Sequence, residues 1–444
     1  MKRFILQKLI EWKERNGRKP LLLRGARQVG KTWILQHFGE NYFPGVHYLN
    51  FEKDKNLNSL FSNSLDPETI LNNYELVYNT TVNESDLIIF DEVQESPNTL
   101  TSLKYFAELK PSQPVCAAGS NIGIVSSTAG FPVGKVEDII MYPMNFSEFL
   151  QAIQPELAQF IKEKKDFLPI SEILHKKLID LFLHFYVTGG LPEAVSEFVN
   201  NRENTKTAFE KTRIIHERLI FNYVSDFAKH AGAVNAGHIH SVFDHVPQYL
   251  STAVDNSIQR FKFKDVIPGK TRYADLEGPI DWLINSGLLY RINIVEKSGT
   301  PLISHRKHNI FKLALFDTGI LHTMLNISFS QIIQQYYGSF KGYIAENFVA
   351  GSLVSSRFSP LFSWQRRQSE IEFLIQHEGN IIPVEVKSGS RTKAKSLSVY
   401  SEMYSPEIKV IVSLKNIELT NGKTLHIPLY LIDNLPDYLG KLID

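Results

Sequence analysis

Three features predict an α/β fold on a parallel sheet with helices on both faces. They are a glycine loop between an apolar strand and a helix, a second apolar strand ending in two acids, and alternation of strand and helix through the first third of the chain. The loop is Gly25-Ala26-Arg27-Gln28-Val29-Gly30-Lys31-Thr32, directly after Leu21-Leu22-Leu23 and Arg24. Its glycines let backbone N–H groups converge on phosphate oxygens, and the helix predicted from Lys31 to Phe38 points its positive end at the same anion. The spacing G-x-x-x-x-G-K-T is a P-loop and predicts ATP or GTP binding, with Lys31 reaching the β- and γ-phosphates and Thr32 on Mg²⁺.

The predicted strands are Pro20–Arg24, Val46–Phe51, Leu87–Asp91, Val115–Gly119 and Asp138–Tyr142. In the third, Leu87-Ile88-Ile89-Phe90 is wholly apolar and runs into Asp91-Glu92. Acids at the C-terminal end of a buried parallel strand lie at the ligand-binding edge of the sheet. Asp91 is expected to hold the Mg²⁺ hydration shell, and Glu92 to polarise the attacking water. The fourth strand ends in Gly119-Ser120-Asn121, where Ser120 or Asn121 faces the γ-phosphate, or where the three residues simply make a turn.

Composition narrows the class without naming a partner. With 444 residues the chain is long enough for two to four domains. Its 48 Lys+Arg against 47 Asp+Glu mean that any nucleic-acid surface is a local patch. A single cysteine, Cys116, excludes an internal disulfide and suits a reducing cytoplasm. The apolar start Met1–Leu6 is interrupted by Gln7, Lys8, Glu11 and Lys13, which predicts an amphipathic helix rather than a leader, and no run is long enough to span a membrane.

Together, Gly25–Thr32, Asp91-Glu92-Val93-Gln94, Gly119-Ser120, Tyr142-Pro143-Met144-Asn145-Phe146-Ser147-Glu148-Phe149 and Gly189-Gly190-Leu191-Pro192-Glu193 resemble a prokaryotic AAA+ family ATPase over nearly the whole chain. The resemblance implies an ATPase, with ATP and Mg²⁺ as cofactors, followed by a C-terminal domain of unknown function with a nuclease-like end. Relatives often carry Gly-Arg before the fifth strand as an arginine finger. Here the pair is Gly134-Lys135, a point charge without the bidentate fork, and a role across a homo-oligomer interface would fall to Lys135.

Past Phe149 the periodicity is helical. Lys176–Tyr186 and Thr205–Lys229 are expected to form the helical lid. The segment from Ala231 to Val295 reads helix, turn, helix, strand, with Pro279 at the first position of its last helix, an order that resembles a winged helix. Such a module either enters a DNA groove with Arg260, Lys262, Lys264, Lys270 and Arg272 or packs on a neighbour. The histidines there, His230, His238, His240 and His245, lack the cysteines or clustered acids of a zinc site.

The last third carries a second constellation. A helix over Gly342–Val349 with Glu346 precedes Ser369–Ile375, a turn at Glu378-Gly379-Asn380, and Ile381–Lys387. Alternation puts Glu372 on the face of Glu370, and Glu385 beside Lys387, while a hairpin brings Glu372 to Glu385. The set Glu346, Glu372, Glu385 and Lys387 resembles a PD-(D/E)XK nuclease site, in which acids hold Mg²⁺ or Mn²⁺ and the lysine stabilises the developing anion. Glu372 stands where that family usually has Asp. The other reading is a hairpin with a solvated Glu–Lys pair.

The fold expected is therefore a P-loop NTPase (AAA+) sheet over 1–150, a helical lid over 151–230, a winged-helix-like domain over 231–308 and a restriction-endonuclease-like α/β domain over 309–444. The expected activity is ATP hydrolysis with Lys31 and Glu92 as catalytic residues, coupled to DNA handling by the C-terminal half. The rival is a regulatory ATPase whose C-terminal domain is an inactive platform for a protein partner.

Overall fold

Five strands of the first 142 residues lie parallel: β1 (Leu21–Arg24), β2 (Val46–Asn50), β3 (Leu87–Asp91), β4 (Val115–Gly119) and β5 (Glu137–Ile140). Their order is β2-β3-β4-β1-β5, so the glycine-loop strand β1 sits between β4 and β5. The computed structural model describes residues 1–120, 132–252, 260–334, 340–389 and 395–443. Each strand lies within two residues of its expected span, the usual uncertainty of an element's end. Strands β3 and β4 are buried along their whole length, which is why they read as unbroken apolar runs.

Packing divides the chain into two units, Met1–Tyr142 with Asn285–Gly287, and Pro143–Ile284 with Leu288–Asp444. In the first, helix Ile5–Glu14 buries Ile5, Leu9 and Trp12, one stripe at helical spacing. Arg3, ahead of this helix, donates to Val29 O at 2.8 Å and to Tyr142 O at 2.7 Å, and so ties the loop to the exit of the sheet. Phe51, Phe61, Phe90 and Phe106 fill the core in edge-to-face pairs, with ring centroids 5.6 to 6.1 Å apart.

The second unit is built on an eight-stranded mixed sheet. Its strands are β6 (Leu289–Val295), β7 (Arg306–Leu315), β8 (Leu361–Arg366), β9 (Ser369–His377), β10 (Asn380–Val386), β11 (Lys409–Ser413), β12 (Glu418–Thr420) and β13 (Thr424–Pro428), in the order β12-β13-β11-β10-β9-β8-β6-β7. Helix Phe340–Ser355 is pinned to β7 by Asn347, whose Oδ1 accepts from Leu315 N at 2.7 Å while its Nδ2 donates to Leu315 O at 2.9 Å. Helix Lys395–Tyr404 adds Leu397 and Tyr400 to a core with Trp364, Ile371 and Leu374.

Three observations differ from the sequence reading. The β6–β7 hairpin is not a free wing: β6 also pairs in parallel with β8, so the sheet runs across residue 308 without a break. Pro279 lies inside helix Tyr273–Asn285 instead of at its first position, because the helix starts six residues earlier and accommodates the ring. The helices Glu172–Thr188 and Thr205–Ala231, expected as a lid, are built into the second unit. His175 Nδ1 lies 2.6 Å from Tyr430 OH, and Phe182 packs edge-on to Phe348 at 5.0 Å. Apolar surface on these helices is buried by the same aromatic core that supports the C-terminal strands.

Candidate functional site

Helix Lys31–Tyr42 starts at Gly30, whose φ of 98° is left-handed and suits glycine. Gly25 is needed for space: a Cβ there would lie 2.1 Å from Met141 O, just past β5. Between them Gln28 takes a φ of 66°, a conformation that costs a non-glycine residue roughly 1 kcal/mol or more. The loop thus folds back over its own backbone, with Ala26 and Val29 buried and Arg27 paired to Glu52 at 3.4 Å.

Lys31 is buried and donates from Nζ to Gly25 O and Ala26 O, both at 2.9 Å. Burial pushes its ammonium down to about 8, against the pull of Glu92 and Asp91. Around Asp91 three donors converge on one oxygen: Thr32 Oγ1 at 2.8 Å, Tyr48 OH at 2.6 Å and Asn50 Nδ2 at 3.2 Å reach Oδ2. Tyr48 and Asn50 were not anticipated. The available signal was two polar side chains at alternate positions near the C-terminal end of β2, on the sheet edge shared with Asp91.

Glu92 has left-handed backbone, φ 56° and ψ 44°, and accepts from Gln94 Nε2 at 2.6 Å. Ser120, at the end of β4, is buried and its Oγ has no hydrogen-bond partner among the described residues; Asn121 lies outside them. Lys135 pairs with Glu108 at 2.9 Å, so any role on a neighbouring subunit requires that pair to open.

These residues fit a magnesium nucleotide. A buried ammonium held by two carbonyl oxygens is poised for an anion, and the Thr32 hydroxyl and Asp91 carboxylate are hard oxygen donors of the kind Mg²⁺ takes. The Lys31 position carries a pH consequence. Below pH 8 the ammonium is already charged; above it, binding a phosphate must return the proton. ATP affinity is therefore expected to be flat from pH 7 to 8 and to fall by about tenfold per unit above that. Calorimetry in buffers of differing ionisation heat should show proton uptake at pH 9, and affinity that stays flat to pH 9.5 would contradict the assignment.

The second unit gathers the other predicted group. The β9–β10 register pairs Val384 with Phe373, which places Glu385 opposite Glu372. Val386 N donates to Glu372 Oε2 at 3.1 Å, and Lys387 Nζ lies 2.5 Å from Glu385 Oε1. Helix Phe340–Ser355 adds Glu346. Burial raises the Glu346 and Glu372 carboxyls above the usual carboxylate range, Glu372 well above it with Glu385 adding to the rise.

The group includes one residue not anticipated. Lys312 of β7 is almost fully buried, 3.3 Å from Glu346 Oε2, and ion-paired with Glu370. Its signal was a lone lysine in the apolar run Phe311-Lys312-Leu313-Ala314-Leu315-Phe316. Among the described residues no group of three or more His, Cys, Asp or Glu is arranged to hold a metal ion. The Mg²⁺ or Mn²⁺ expected here does not fit, because ammonium groups already sit on the carboxylates. Of the histidines upstream, His240 pairs with Asp244 at 2.9 Å and His245 packs on Phe261.

Residues 17–150 match the AAA domain family, while 179–331 and 341–432 match two families described only as domains of unknown function, DUF8612 and DUF4143. No curated protein matches the chain. Among solved structures, a Walker-type ATPase of Pyrococcus abyssi is 13% identical, with 72% of this chain and 94% of that chain covered at a TM-score of 0.44. The Aeropyrum pernix ORC1 protein in complex with DNA is 11% identical, covering 73% and 92% at 0.31. Drosophila ORC bound to DNA is 14% identical, covering 73% and 94% at 0.26. Likenesses this remote assign neither ligand nor partner. Among the described residues no helix is long and apolar enough to cross a membrane. The sheet order, the glycine loop and the match over 17–150 agree, and that segment of the chain is a P-loop ATPase domain of the AAA type.

Proposed function

We propose that the chain is an ATP-driven switch, in which ATP binding and hydrolysis by the first unit are coupled to nucleic-acid binding by the second. The observation that carries the ATPase half is the convergence of Thr32, Tyr48 and Asn50 on Asp91 beside the buried Lys31. In this reading Lys31 holds the charge of the terminal phosphates, and Mg²⁺, carried by Thr32 and Asp91, supplies electrostatic stabilisation of the transferring group. Glu92, oriented by Gln94, takes a proton from the attacking water. Ser120 faces the terminal phosphate and reports its presence.

Local charge supports the nucleic-acid half. Between Arg291 and Tyr400 there are 13 Lys+Arg and 7 Asp+Glu. Arg366 and Arg367 are exposed at the β8–β9 turn, and Lys395 is exposed at the start of its helix; Arg391 and Lys393 lie outside the described residues. Upstream, Arg260, Lys262 and Lys264 are exposed while the intervening Phe261 is buried and donates from its N–H to Phe311 O at 2.8 Å.

DNA affinity of the full-length protein is expected to fall by about 100-fold between about 50 and 200 mM salt, as for about four phosphate contacts. Arg366→Glu with Arg367→Glu should weaken it and flatten the slope. Binding that ignores salt, or no binding, would remove the nucleic-acid half. The second reading, a platform for a protein partner, is favoured by Lys312, which is lodged on Glu346 and Glu370 of the candidate nuclease-like group. It would then replace the first.

A further inference from the structure

Four carboxylates of the second unit come from three elements, and two ammonium groups sit against them. Glu346 comes from helix Phe340–Ser355, Glu370 and Glu372 from β9, and Glu385 from β10. Asn347 fixes that helix on Leu315 of β7, and three residues earlier on the same strand Lys312 faces Glu346 and Glu370. Lys387 takes Glu385. We propose that Lys312 is the resident cation of this cluster, standing in place of a divalent ion.

Three facts lead there. Lys312 is 3% exposed, so its charge cannot be solvated and depends on these acids for partners. A divalent ion needs several oxygens at about 2.0–2.6 Å, and the Lys312 ammonium already takes those of Glu346 and Glu370. A dication beside it would also meet like charge in a place water does not screen. Lys312 is thus the positioning residue that decides what the cluster binds; it touches no substrate. The network holds β7, β9 and helix Phe340–Ser355 together through charge, and nucleic acid bound by the second unit would remain uncut.

The test is Mn²⁺ titration of nucleotide-free, full-length protein, with free ion followed by electron paramagnetic resonance. Any ion at Thr32 and Asp91 contributes equally to every variant, so the outcome is separate from the ATPase reading. Wild type and Glu385→Gln are expected to bind the same number of ions. Lys312→Met, which keeps the stem and removes the charge, should bind one more, and Lys312→Met with Glu385→Gln should lose it again. Wild type binding one ion more than Glu385→Gln would overturn the proposal, as would a folded Lys312→Met that gains none. Should Lys312→Met fail to fold, the comparison of wild type with Glu385→Gln still decides whether the cluster holds an ion.

Discussion

Lys31→Ala is expected to lower ATP affinity by about 100-fold or more, whereas Glu92→Gln leaves it within about threefold and slows turnover by about 10²–10³-fold. The two residues sit at the same sheet edge but act at different stages. Lys31 contributes a buried positive charge whose present partners are two backbone carbonyls, so a phosphate gains an interaction that no other group at the site replaces. Removing one member of such a buried pair costs about 2–5 kcal/mol. Glu92 has left-handed backbone and accepts from Gln94; if it is the base, as proposed, a glutamine of the same shape keeps the site filled while losing that function. Calorimetry and phosphate release separate the cases. Equal loss of affinity in both variants would show that Glu92 is a ligand and not the base.

Gly190→Ala is expected to destabilise the second unit by more than about 3 kcal/mol. A Cβ on Gly190 would lie 2.1 Å from Met144 O and 2.8 Å from Met144 N. The backbone cannot step aside, because Gly190 O accepts from Met144 N at 2.6 Å and Gly190 N donates to Asp317 Oδ2 at 2.6 Å. Burial raises the Asp317 carboxyl to about 6 despite the backbone donors of Gly190, Ile320 and Gly319, which marks how enclosed the junction is. Gly237→Ala is the control: nothing lies within 4 Å of its Cβ and it is in a helix, so it should gain about 0.5–1 kcal/mol. Denaturant unfolding reads both, and a loss below about 1 kcal/mol for Gly190→Ala would refute the packing argument.

That junction shows what the sequence could and could not say. The stretches Tyr142–Phe149 and Gly189–Glu193 stand out as signatures, and a functional role is a natural reading of them. In the structure Met144 and Gly190 lock to each other, and Asn145 with Glu148 caps the next helix, so the pattern there is set by packing. The glycine loop was legible because eight consecutive residues carry its chemistry. Asp91 was legible because a wholly apolar strand ends on it. The partners of Tyr48, Asn50 and Lys312 were not, since Tyr48 and Asn50 meet Asp91 through pairing of β2 with β3, and Lys312 meets Glu346 and Glu370 from a helix and a strand not adjacent to its own; periodicity alone does not fix such neighbours. The strand read at the end of the winged-helix-like segment is β6, and its pairing with β7 and, in parallel, with β8, which makes it part of the large sheet, was hidden for the same reason.

Coupling between the two units is the central claim, and one measurement addresses it directly. DNA affinity of full-length Glu92→Gln protein, which should bind ATP without turning it over, is compared with ATP and with ADP at fixed salt. At least a tenfold difference between the two nucleotides is expected, about 1.4 kcal/mol of coupling. Equal affinity in both states, with nucleotide occupancy verified, would contradict it.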